Sequence, residues 1–215
     1  MTSIRDLRNH YAQTSLLEQE APSNPMELFS TWWEAALKAQ VPEPNAMTLA
    51  TVSTLGLPSA RVVLLKGITE EGFEFFTNYQ SQKGSDLANN PNVSMVFLWK
   101  EIERQVRIDG VASRLSFEDS QVYFQSRPRG SQIGAWSSPQ SQVIPNREIL
   151  ENRVSEIAAQ FENVDPIPCP PFWGGYLVTP VRIEFWQGRP DRLHDRLCYL
   201  RNEKGADWSF HRLAP

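Results

Sequence analysis

The 215-residue sequence has little of what several common chemistries require. Its only cysteines are Cys169 and Cys198, so no disulfide framework is expected and a reducing cytoplasm is the simplest setting. The three histidines, His10, His194 and His211, are scattered, and neither His-Glu-x-x-His nor paired Cys-x-x-Cys occurs, so no metal site is expected. No apolar run approaches the ~20 residues that span a bilayer, and the first ten residues lack the apolar core of a secretory signal. Gly-x-Gly-x-x-Gly, Gly-x-x-x-x-Gly-Lys-Ser/Thr and Gly-x-Ser-x-Gly are all missing, which disfavours a Rossmann site, a P-loop and a hydrolase elbow. A formal charge of -4 argues against a nucleic-acid binder.

What is present concentrates in residues 123–141 and 182–196. There arginine, hydroxyl and amide side chains alternate with tryptophan and tyrosine. Guanidinium forks suit phosphate oxygens and aromatic faces suit flat heterocycles, so the pattern suggests a pocket for phosphorylated, ring-shaped small molecules. Solvated arginines and core tryptophans are the alternative.

Residues 1–24 read as a mobile N-terminal arm, followed by a single domain over 25–215. Asn24-Pro25-Met26-Glu27 looks like a helix start, with Asn24 as N-cap and Glu27 as its capping-box partner. Phe29, Trp32, Trp33, Ala36 and Leu37 continue the helix as an apolar stripe. Short β-rich runs follow at 47–53, 59–66, 73–78, 93–99 and 105–115, with Asp109-Gly110 marking a hairpin or a bulge. Ser116 begins a helix that Pro128 stops or kinks, and 146–162 is the clearest helix, with Leu150, Val154, Ile157, Ala158 and Phe161 on one face. Strands at 172–179, 181–187, 197–201 and 208–213 finish the chain. Turns this short favour antiparallel pairing, giving an α+β fold whose sheet closes toward a barrel with peripheral helices.

Several residues qualify for chemistry. Arg61 and Lys66 stand an odd number of positions apart on one expected strand, which places them on opposite faces and fits two different anions. Tyr123 and Arg127 share a helix face, and Ser131 follows the proline as a candidate cap, so the three make a candidate phosphate cradle. Ser81-Gln82-Lys83-Gly84 is a second, smaller cradle. If Arg192-Leu193-His194-Asp195-Arg196 is extended, Arg192, His194 and Arg196 point to one side, and the flanking cations should oppose protonation of His194.

Taken in order, Arg61-Val62-Val63-Leu64-Leu65-Lys66, Phe76-Thr77-Asn78, Arg104-Gln105-Val106, Ser126-Arg127-Pro128, Ser131-Gln132-Ile133-Gly134-Ala135, Gln140-Ser141, Trp173-Gly174-Gly175, Glu184-Phe185-Trp186-Gln187-Gly188 and Arg192-Leu193-His194-Asp195-Arg196 closely resemble the pyridoxine/pyridoxamine 5′-phosphate oxidases. The resemblance runs from about Asn45 to Pro215. It implies an FMN-binding split β-barrel, as a homodimer with FMN in the subunit interface. It implies FMN contacts from the stretch Arg61, Val62, Val63, Leu64, Leu65 and Lys66, and from Phe76, Thr77, Ser81, Gln82, Lys83, Gln105, Gln140, Ser141, Trp186 and Arg196. The substrate phosphate would meet Lys66, Tyr123, Arg127 and Ser131, with catalytic Arg192 and His194 facing the substrate ring and Arg8 and Tyr11 placed to close over it. Two departures stand out: Gln82 where the family usually has a basic residue, and Gln125 where it commonly has histidine.

The resemblance implies oxidation of pyridoxine or pyridoxamine 5′-phosphate to pyridoxal 5′-phosphate, with dioxygen reduced to hydrogen peroxide. A non-catalytic flavin- or vitamer-binding barrel and a nicotinamide-dependent flavin reductase are the competing readings. The first would keep the FMN contacts and lose the substrate cradle.

Overall fold

A computed structural model describes residues 11–201 and 207–215; Arg8 therefore lies outside the described residues. The helices are α1 (Pro25–Lys38), α2 (Gln82–Asn89), α3 (Phe117–Ser126), α4 (Arg129–Ser137) and α5 (Arg147–Gln160). The strands are β1 (Ala46–Val52), β2 (Pro58–Leu64), β3 (Gly67–Ile68), β4 (Phe73–Asn78), β5 (Asn92–Trp99), β6 (Arg104–Arg114), β7 (Trp173–Gln187), β8 (Asp195–Leu200) and β9 (Ser209–Arg212). They hydrogen-bond in the order β2-β1-β5-β6-β7-β4-β3, with β8 on β7 and β9 on β8. The pairs β3–β4, β4–β7, β7–β8 and β8–β9 are antiparallel. Two compact units divide the chain: unit 1 is Met1–Leu49, Ser94–Gly110 and Pro180–Pro215, and unit 2 is Ala50–Val93 and Val111–Thr179.

Unit 1 packs α1 through Phe29, Trp32 and Ala36, all nearly or fully buried. Phe29 meets Phe97 edge-on at 5.3 Å and Trp32 meets Phe185 at 5.1 Å. Leu37, expected in the stripe, is half exposed. Asn24 caps α1 as expected, accepting the Met26 N–H on Oδ1 at 3.0 Å. The segment from Tyr11 to Asn24, read from the sequence as part of the arm, carries long-range bonds. Glu103 Oε2 accepts from the Ala12 and Gln13 amides, Asp195 from the Leu16 amide, and Pro22 O from the Tyr199 hydroxyl.

Unit 2 packs around Phe124, Phe161, Ile167, Cys169 and Trp173, with Phe76, Tyr123, Trp136 and Ile157 against them. The expected apolar face of α5 contributes only at its end: no residue of the helix is buried, whereas Phe161 just beyond it is.

Four expectations about local structure need correction. The runs 172–179 and 181–187 form one strand, because Pro180 does not interrupt β7. Of the two readings of Asp109-Gly110, the hairpin fails, because β6 runs from Arg104 to Arg114 without a turn. α2 and the two-residue β3 went unrecognised, since α2 is short and polar. Ser131 is not a cap: α4 begins at Arg129 behind Pro128, which puts Ser131 inside the first turn.

Candidate active site

The site in unit 2 starts where β4 ends. Ser81 caps α2, its Oγ accepting the Gly84 N–H at 3.3 Å. A Cβ at Gly84 would overlap the Tyr79 carbonyl, so only glycine lets the helix start this close to the strand end. The preceding residue, Lys83, is consequently buried. Its ammonium donates to Thr77 Oγ1 at 3.2 Å, Ser81 Oγ at 3.4 Å and Gln140 Oε1 at 3.2 Å, all neutral oxygens. Burial, and then the Arg61 charge, hold its pKa below the usual lysine range. A buried cation bonded to neutral oxygens next to another cation is a ready site for an anion.

Arg61, on β2, is held from behind. Its fork donates to Thr51 Oγ1 at 2.7 Å and Ser59 Oγ at 2.8 Å, and Asp86 Oδ2 lies 4.0 Å away. Asp86 is 3% exposed and accepts from the Thr51 hydroxyl at 2.7 Å and the Gln82 amide at 2.8 Å. Thr51, Ser59 and Asp86 were not singled out in the sequence because small polar residues on separate strands and a helix carry no spacing signal.

A cavity of about 660 Å³ opens here, within the range of small-molecule sites. Its walls include Arg61, Val62, Val63, Leu64, Lys66, Phe76, Thr77, Lys83, Tyr123, Arg127, Ser131 and Gln140 from the expected set. The parity argument for Arg61 and Lys66 fails: β2 ends at Leu64, alternation stops before Lys66, and both residues line the same cavity. Trp173 lines it too and was missed as a site residue. Phe76 stacks on Tyr123 at 3.9 Å, and Tyr123 lies nearly parallel to Trp173 at 6.1 Å. The Arg127 guanidinium sits 4.7 Å over the Trp173 ring, and burial lowers its pKa. Its Nη1 is buried without a hydrogen-bond partner, a donor left for a ligand.

Leu65, Ser81, Gln82 and Ser141 do not line the cavity. Leu65 is buried, Ser81 turns its hydroxyl to the Asn78 carbonyl, Gln82 faces Asp86, and Ser141 is exposed with φ 71°.

Unit 1 carries Tyr11, Gln105, Trp186, Arg192, His194 and Arg196. Trp186 pairs with Arg196 across β7–β8. Arg196 donates Nε and Nη2 to Glu184 Oε1 at 2.9 and 2.7 Å, and Nη1 to Ala214 O at 2.8 Å. Glu184 is 4% exposed and also takes Arg182 at 2.9 Å. The extended reading of 192–196 fails at its start: Pro190–Arg192 is a tight turn, with Asp191 and Arg192 at φ 56° and 63°, and β8 begins only at Asp195. Trp186, His194 and Tyr11 nonetheless cluster, with His194 4.6 Å from Trp186 and 5.8 Å from Tyr11 between ring centroids. Burial and the Arg192 charge lower the His194 pKa, as the sequence implied.

Among the described residues no group of histidine, cysteine and carboxylate side chains could hold a metal, and no helix is long and apolar enough to cross a membrane.

Comparison with known proteins matches residues 33–161 to the family described as pyridoxamine 5′-phosphate oxidase and residues 173–215 to the pyridoxine 5′-phosphate oxidase C-terminal dimerisation region. A pyridoxine/pyridoxamine 5′-phosphate oxidase from Salinibacter ruber is 52% identical over 100% of both chains. One from Acaryochloris marina is 56% identical over 100% of this chain and 96% of its own. Among solved structures, PhzG from Burkholderia lata, in complex with tetrahydrophenazine-1-carboxylic acid, aligns with TM-score 0.88 and 32% identity over 95% of this chain and 99% of its own. An FMN-binding protein from Nostoc punctiforme aligns with TM-score 0.69 and 21% identity over 87% of this chain and 97% of its own, in line with the expected split-barrel fold. A full-length match at this identity, on top of the cavity residues described above, places the chain in the pyridoxine/pyridoxamine 5′-phosphate oxidase family.

Proposed function

We propose that the protein is an FMN-dependent oxidase converting pyridoxine or pyridoxamine 5′-phosphate to pyridoxal 5′-phosphate, with dioxygen reduced to hydrogen peroxide. The observation that carries this reading is a cavity lined by two cationic sets on different elements. Arg61 and Lys83 stand with Thr77 and Gln140; Arg127 stands with Tyr123 and Ser131. Two phosphates, one from a cofactor and one from a substrate, match two such sets better than one.

Lys83, Arg61, Thr77 and Gln140 would hold the FMN phosphate, an assignment supported by the buried ammonium bonded to neutral oxygens. FMN, when bound, supplies the acceptor for a hydride and the route of electrons to dioxygen. Arg127, Tyr123, Ser131 and Lys66 would bind the substrate phosphate, with the partnerless Arg127 Nη1 as the donor in waiting. The remaining expected contacts, Gln105, Ser141, Trp186 and Arg196 to the cofactor and Tyr11, Arg192 and His194 to the substrate, belong to the same proposal. Ser81 would act through Lys83 and Gln82 through Asp86. The assembly is a homodimer with FMN at its interface, working in the cytoplasm without a metal.

The likeness to PhzG supports a second reading, in which the ring oxidised is a larger carboxylate, since a guanidinium accepts either anion. One experiment tests the first reading. The purified protein, loaded with FMN, is mixed in air with pyridoxamine 5′-phosphate, and pyridoxal 5′-phosphate and peroxide are followed together. Equal formation of both is expected. Flavin bleaching by a nicotinamide alone, or binding without turnover, would replace the oxidase reading by a reductase or a vitamer-binding barrel.

A further inference from the structure

Thr51, fully buried on β1, stands between a group that only donates and a group that only accepts. The Arg61 guanidinium, on the neighbouring β2, donates Nη1–H to Thr51 Oγ1 at 2.7 Å. The Thr51 hydroxyl donates in turn to Asp86 Oδ2, also at 2.7 Å. A hydroxyl has one proton and two lone pairs, so giving the proton to Asp86 turns a lone pair toward the guanidinium. Gln82 Nε2 holds the other Asp86 oxygen at 2.8 Å and keeps the carboxylate in this orientation.

Asp86 does not clamp Arg61 directly. Its Oδ2 lies 4.0 Å from Arg61 Nη2, beyond hydrogen-bond length, and Nη2 donates instead to Ser59 Oγ at 2.8 Å. By charge alone Asp86 would weaken anion binding, since it attracts Arg61 in the empty site and repels a phosphate in the filled one. What it adds to the site is direction: it decides which side of the Thr51 hydroxyl faces the fork. Lys83 and Asp86, three residues apart on α2, are both buried, so one short helix supplies an ammonium to the anion site and the carboxylate behind Arg61.

We propose that Thr51 and Asp86 are positioning residues of the anion site, acting through Arg61. Asp86 takes the Thr51 proton, and the Thr51 lone pair fixes the guanidinium against the cavity that Arg61 lines. This rests on the reading of that anion as the FMN phosphate.

The whole chain, freed of flavin, is titrated with FMN and with riboflavin, which has the same ring and no phosphate. The parent protein should bind FMN more tightly than riboflavin. Thr51→Val keeps the side-chain shape and removes the hydroxyl; it should weaken FMN about tenfold or more and leave riboflavin within about threefold. Thr51→Ser restores the hydroxyl and should bring FMN back to within about threefold of the parent. Asp86→Asn can still accept the Thr51 proton on its amide oxygen, with the Gln82 amide flipped to accept from its nitrogen. It loses the charge and keeps the direction, so it should bind FMN no more weakly than the parent. Asp86→Ala should fall as far as Thr51→Val.

Unchanged FMN affinity in Thr51→Val overturns the proposal, and so does an equal loss of FMN and riboflavin, which would mark a general disturbance of the fold. A loss in Asp86→Asn as large as in Asp86→Ala overturns it as well, since the charge would then act in place of the hydroxyl direction. A parent protein that binds the two flavins alike overturns the reading of the anion as the FMN phosphate, and the proposal with it; failure in the variants alone leaves that reading standing.

Discussion

Gln82 donates its side-chain amide to Asp86 one turn along α2, at 2.8 Å, and so points away from the cavity whose phosphate site it was expected to serve. Asp86 in turn stands behind Arg61. The position that departs from the family pattern is thus tied to the residue that backs a phosphate-site cation.

Replacing Gln82 with arginine should keep the contact with Asp86 and add positive charge near the anion site. Because position 82 is exposed, the gain is expected to be about 1 kcal/mol or less. Titration of the apo-protein with FMN checks this. A weaker dissociation constant would mean that the new guanidinium disturbs Asp86 and, through it, Arg61.

Arg127→Ala should raise KM for pyridoxamine 5′-phosphate while FMN occupancy stays near that of the parent. A charge-assisted bond to phosphate corresponds to roughly 1.5–3 kcal/mol, or about 10- to 150-fold. Steady-state kinetics alongside flavin absorbance gives both quantities. Flavin loss with an unchanged KM would reverse the division of the two phosphates.

Gly84→Ala should be costly although it adds one methyl group. The Cβ would collide with the rigid Tyr79 carbonyl, forcing α2 outward at a cost of roughly 1–3 kcal/mol and withdrawing Lys83 from Thr77 and Gln140. Thermal unfolding of the apo-protein and FMN titration should both worsen. Unchanged behaviour in both would show that α2 can shift freely.

Cys169 is buried against Pro170 and Trp173, and burial pushes its thiol up to about 11. Cys198 is buried as well. Neither thiol should react with a disulfide reagent near neutral pH until the protein unfolds: Cys169 because the thiolate is the reactive form and burial disfavours it, Cys198 because it is buried from the reagent. Fast labelling of the native protein would contradict this burial.

Glu18 pairs with Arg212 through two oxygens, at 2.5 and 2.8 Å, and these hydrogen bonds lower its pKa from 4.5 to about 2. The folded carboxylate binds its proton less readily than the unfolded one, so the pair contributes stability above pH 4.5 and loses it as pH falls toward 2. Glu18→Gln should therefore be less stable than the parent at pH 7, with a gap that closes in acid. Denaturant unfolding at several pH values measures it, and a gap constant with pH would exclude the linkage.

The sequence by itself determined the class of the protein, the capped start of α1, the place where α3 begins, and most of the strands, because capping and alternation are local and written in neighbouring residues. It also brought Tyr123, Arg127 and Lys83 to notice, since charge-bearing types in a helix repeat or a short loop can be read directly. Only the tertiary structure decided that Arg61 and Lys66 share one cavity, because the strand ends between them. It also assigned Asp86 to Arg61 and the Arg189 amide to His194, and stacked Trp173 beside Tyr123. These contacts depend on where a strand stops, how a turn folds back and which distant segments meet, and no local period in the chain encodes them.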